Sequence, residues 1–126
     1  MVVEVELVNR SGVEVDTADV VALCRTVLAA EGIDSGDLGV TLVGSDEVRS
    51  LKREHLGIDE PADVLSFPID GCDDVPPGVP RQLGDGVLCP QVVGEAWRRA
   101  LVHGLLHVLG YDHGHEMEER EASLLE

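Results

Sequence analysis

Residues 91–109 read QVVGEAWRRALVHGLLHVL, and the way this stretch must fold decides the rest. On a helical wheel Val93, Trp97, Ala100, Leu101, Gly104, Leu105 and Val108 form a wide apolar arc. Val102 and Leu106 fall on the opposite side, so the C-terminal half is apolar nearly all round. A helix of that kind belongs in the centre of a fold, with other elements packed around it. Gly104 lies within the packed arc, where a missing side chain lets a neighbouring element approach closely.

Working outward, residues 2–8 (VVEVELV) alternate apolar and acidic side chains and predict a strand with one buried face. Asp16 and Thr17 are N-cap candidates for a helix running to about Ala30, with Gly32 stopping it. Residues 37–43 (DLGVTLV) predict a second strand, and a strand–helix–strand unit of this length implies parallel pairing through a right-handed crossover. A helix opens at Ser45. Val64 to Phe67 and Leu83 to Cys89 predict two further strands, joined across a Gly/Pro/Asp-rich loop and most simply paired as an antiparallel hairpin. The expected fold is α/β in the α+β sense. It is one domain over residues 1–126, with a mixed four-stranded sheet, helices packed on it and the central helix just described. The tail after His113 predicts a short acidic helix anchored by Met117, Leu124 and Leu125.

The same central helix carries the chemistry. His103 and His107 are four residues apart, hence one above the other on one helix face. Gly110 suits a left-handed helix end, after which His113 can turn a third imidazole toward the first two. Three neutral imidazoles meeting at one point make a Zn²⁺ site, one ion per chain, with a fourth position open for water. The spacing matches the HExxHxxGxxH pattern of metallopeptidases except that Gly104 replaces the glutamate base, which disfavours peptidase chemistry. Asp112, beside the third histidine, is the candidate catalytic carboxylate, orienting an imidazole or simply closing the turn. His115 reads as a solvated tail residue.

Arg49, Lys52 and Arg53 form the one dense basic patch, either a solvated helix face or a phosphate contact. Ser66 has no nucleophile elbow and no partnered base, so it reads as structural or substrate-facing. The net charge of −16 repels polyanions at long range, so any nucleic-acid role must rest on the metal and on local basic groups. Three cysteines without a CxxC pair point to reduced, buried thiols. No membrane span or leader is expected, which places the protein in the cytoplasm.

With PADVLSFP (61–68) and LGDGVLCP (83–90) upstream in that order, HGLLHVLGYDH (103–113) resembles the YbeY family of bacterial endoribonucleases, over about Val3 to Glu121. The resemblance implies a zinc-dependent, single-strand-specific RNase that matures the 3′ end of 16S rRNA and serves ribosome quality control. It implies His103, His107 and His113 as zinc ligands. From the residues themselves, Lys52 and Arg53 are candidate phosphate contacts and Ser66 a candidate substrate-facing residue. The expected partners are single-stranded rRNA, the small ribosomal subunit and its proteins, with neither DNA nor membrane. Two features depart from the family's pattern. Leu56 stands where many relatives carry an arginine, and the segment leading into His103 is shorter, as though a single helix replaced a helix, a loop and a helix. The alternative function is a non-catalytic, zinc-bound ribosome assembly factor whose acidic surface docks basic ribosomal proteins.

Overall fold

The computed structural model describes residues 3–56, 64–70, 76, 81–111 and 114–125, the side chains of residues 55 and 56 excepted. Strand β1 (Val3–Asn9) buries Val3, Val5 and Leu7 toward the core and turns Glu4 and Glu6 outward, as period-two alternation requires. Asp16 caps α1 (Thr17–Ala30) by accepting the Asp19 amide at 3.2 Å, satisfying one of the helix's orphan donors. The helix lays Val20, Cys24, Val27 and Leu28 into the core and returns the chain to β2 (Gly36–Leu42), parallel to β1.

The sheet order is β1-β2-β4-β3. Strand β4 (Gln82–Leu88) pairs parallel with β2 and antiparallel with the edge strand β3 (Val64–Pro68), so the sheet is mixed. Helix α2 (Ser45–Leu56) covers one end of one face, where Val48 and Leu51 meet Val43, Leu65, Val87 and Cys89. The opposite face carries α1 and α4 (Trp97–Val108). Helix α4 buries Ala100, Leu101, Val102, Leu105, Leu106 and Val108, which makes it the central element its all-round apolarity predicts.

Two expectations need correction. The helix predicted from about Gln91 to Leu109 is interrupted. A four-residue α3 (Pro90–Val93) ends at Gly94, whose φ of 52° and ψ of −128° lie outside the helical region, and a 3₁₀ turn over Gly94–Ala96 leads into α4. Glycine takes that conformation without a Cβ penalty, and apolar periodicity cannot register such a break. The tail helix α5 (His115–Leu124) is held by Met117, which is buried, and by Leu124, which packs on the core. Leu125 is 39% exposed because it lies at the C-cap, past the last packed turn. Cys24 and Cys89 are buried free thiols; Cys72 falls outside the described residues. Among the described residues no helix is long and apolar enough to cross a membrane.

Candidate metal centre

His103 and His107 stand one turn apart on α4, each half-buried, with ring centroids 4.8 Å apart and ring planes at 79°. Each ring's Nδ1 faces an oxygen. The Nδ1 of His107 lies 2.8 Å from the Tyr111 carbonyl oxygen. A carbonyl only accepts, so the proton of the neutral ring sits on Nδ1 and the lone pair on Nε2. The Nδ1 of His103 lies 3.6 Å from Glu121 Oε1 on α5, a carboxylate only 13% exposed. Histidines that ligate metals through Nε2 carry this arrangement, with the other nitrogen oriented by a carbonyl or carboxylate.

The backbone turn after α4 makes the first of these contacts possible. Gly110, at φ 105°, lets its own amide reach His107 O (3.0 Å) and the Tyr111 amide reach Leu106 O (2.9 Å). This pair of bonds is the Schellman closure that the glycine at this place predicts. It swings the Tyr111 carbonyl back over the last helical turn to meet His107. The Tyr111 hydroxyl donates to Glu31 Oε1 at 2.6 Å, and that hydrogen bond is the main reason its pKa is raised.

Gly104 marks where β3 crosses the helix. A Cβ built there would lie 2.6 Å from Val64 Cγ2 and 3.3 Å from Ser66 Oγ. The Ser66 hydroxyl donates to the Gly104 carbonyl at 2.8 Å and ties the edge strand to the helix between its two histidines. A glutamate in this position, as in HExxH enzymes, would have to displace β3. Packing and sequence therefore exclude the peptidase base together. A cavity of about 320 Å³ opens beside His103, lined by Arg99, Met117, Glu118 and Glu121 among others.

The structure thus sets His103 and His107 side by side and ties Ser66 to the Gly104 carbonyl, which lies between them in sequence. It does not bring Lys52 and Arg53 to them. Successive residues of β3 point to opposite faces, with Val64 and Ser66 toward α4 and Leu65 and Phe67 toward the cluster under α2. Lys52, half-buried, and Arg53, exposed, therefore sit on the helix across the sheet from the histidines. His113 and Asp112 lie outside the described residues, as does the Leu56 side chain. Among the described residues no three His, Cys, Asp or Glu side chains group to hold an ion. His115 is exposed and 2.9 Å from Glu119, as expected for a solvated tail histidine. Sequence reasoning missed Glu31, Tyr111, Arg120 and Glu121; the tyrosine sits inside the histidine motif, whereas nothing distinguishes the three charged residues from their neighbours.

The family model described as endoribonuclease YbeY matches residues 6–126. A protein of that description from Salinispora tropica is 39% identical over 142 aligned positions, which cover 97% of this chain and 90% of the relative. One from Nocardia farcinica is 34% identical over 139 positions, covering 97% and 76%. Both alignments are longer than the 126-residue chain, so these relatives carry residues that it lacks. The fold is shared by a solution structure of a Thermotoga maritima protein, at TM-score 0.62 and 24% identity, over 96% of this chain and 86% of that one. On its motif, its fold and its relatives, the chain belongs to the endoribonuclease YbeY family.

Proposed function

We propose that this protein is a metal-dependent endoribonuclease specific for single strands, acting in 16S rRNA 3′-end maturation and in ribosome quality control. One Zn²⁺ would be held by His103, His107 and His113. The observation that carries this reading is the 2.8 Å contact of His107 Nδ1 with the Tyr111 carbonyl, which sets the ring to present Nε2 as a ligand. When bound, the ion supplies a polarising charge for a phosphoryl oxygen and an acidified water.

The chain's own groups divide the remaining work. Asp112 is our candidate catalytic carboxylate, serving by orienting an imidazole. Ser66, fixed to Gly104, still has oxygen lone pairs to accept a bond from the RNA. Lys52 and Arg53 take phosphates of the same strand on the far side of the sheet. RNA touching both groups must pass around β3, the edge strand, and a single strand bends around such an edge far more readily than a stiff duplex. Small-subunit proteins and rRNA in the cytoplasm are the partners this role entails.

The test compares cleavage of a single-stranded 16S 3′-precursor RNA with the same RNA annealed to its complement. Cleavage confined to the single strand supports the proposal, and equal cleavage of both overturns the strand preference. Stoichiometric zinc and ribosome association without cleavage would favour the assembly-factor reading.

A further inference from the structure

Glu31 ends α1, seventy-odd residues before the histidines, yet its side chain is only 6% exposed. Both of its oxygens are engaged. Oε1 accepts the Tyr111 hydroxyl at 2.6 Å, and Oε2 is bound by the guanidinium of Arg120, which also donates to the Ala30 carbonyl at 3.4 Å. Tyr111 is consequently held at three points. Its amide donates to Leu106 O, its carbonyl accepts from His107 Nδ1, and its hydroxyl rests on Glu31. Arg120 in turn precedes Glu121, the carboxylate that faces His103 Nδ1. One buried carboxylate therefore joins α1, the turn after α4, and α5, the two segments that supply the oxygens facing the histidines.

We propose that Glu31 is a positioning residue for the histidine pair, acting through Tyr111 on His107 and through Arg120 on the helix that presents Glu121. Glu31 accepts from a hydroxyl on one oxygen and from a guanidinium on the other, as a carboxylate with two acceptor ends does. Glutamine at this place can keep its carbonyl for the guanidinium and donate its NH₂ to the Tyr111 hydroxyl, whereas alanine removes both contacts. Without the carboxylate the Tyr111 ring loses its anchor, and the turn at Gly110 alone is left to aim the carbonyl at His107.

This inference rests on the metal-site reading for its purpose, and its test separates the two. The tautomer of His107 is read by long-range ¹H–¹⁵N correlation spectra of the metal-free protein at about pH 8, above the ordinary imidazole range. Zinc affinity is measured on the same samples by competition with a chromophoric chelator. In wild type the ring should be the Nδ1–H form. In Glu31→Ala it should become a mixture of tautomers, with zinc bound about tenfold more weakly, at the low end of the effect known for outer partners of ligating histidines. Tyr111→Phe should act alike, and the double variant should add little, because both remove one linkage. Val20→Ala, a core truncation away from this network, controls for lost stability and should leave the tautomer unchanged.

An unchanged Nδ1–H form in folded Glu31→Ala overturns the proposal, whatever zinc affinity does. A changed tautomer with zinc affinity within about twofold of wild type overturns it as well, since outer partners that matter cost tenfold or more. If wild type binds no zinc, the tautomer alone decides the Glu31 linkage, and it is the metal reading that fails.

Discussion

Gly104 shows how one missing side chain can settle both packing and chemistry. An alanine there would improve helix propensity by about 1 kcal/mol but would place a Cβ 2.6 Å from Val64 Cγ2. Overpacking of this kind costs about 1–3 kcal/mol, so the clash should win narrowly. Gly104→Ala is expected to lower the urea midpoint, and Val64→Ala in the same background to raise it again. Midpoints that sum additively would contradict the contact. The glycine's role as a place of close approach was legible from its position inside an apolar arc; which strand approaches was not, since sequence carries no information on what crosses a helix. Cys24 provides a pH-dependent counterpart. Burial pushes its thiol up from 9.0 to about 12. The neutral form is thus favoured in the folded state, and its contribution is fully present below pH 9 and lost as pH rises toward 12. Wild type should therefore lose stability over that window more steeply than Cys24→Ala, as measured by denaturant midpoints across the range. Parallel profiles would contradict the burial argument.

At the scale of elements, the four strands, α1 and the parallel first crossover were legible because amphipathic period and capping residues are local signals. The Asp16 cap and the glycine after α4 act within one turn of the residues they serve. The break at Gly94 was not legible, since the apolar spacing continues through it and only the backbone dihedrals reveal it. The joining of β4 to β2 was not legible either, because a long connection leaves the partner of a parallel strand open. The turn at Gly110 yields the prediction that belongs here. A Cβ at φ 105° costs about 1–3 kcal/mol, and the same turn aims the Tyr111 carbonyl at His107. Gly110→Ala should reduce both thermal stability and zinc affinity, monitored by calorimetry with and without metal. A variant losing stability but binding zinc as wild type does would show that the turn and the site are independent.

For the whole molecule, the net charge of −16 sets the terms on which RNA can be met. Global repulsion must be overcome by local contacts, and Lys52 and Arg53 are the candidates we propose across the β3 edge. Removing both with alanine should weaken single-stranded RNA binding and lower the salt slope by about 0.7–1.4, as expected when one or two phosphate contacts of a single strand are lost. An unchanged slope would make this helix face merely solvated. The histidine pair itself was legible from spacing alone; the contacts that orient it were not, because Glu31 and Glu121 reach it through the fold and not along the chain. The proposed function requires a metal held by His103, His107 and His113 and used on RNA. The most direct test is metal analysis of the purified protein coupled to cleavage of single-stranded RNA, with chelator and with His107→Ala. We predict one zinc per chain and cleavage that vanishes in both arms and returns on adding zinc to the chelated wild type. Cleavage that persists with chelator and in His107→Ala would contradict it.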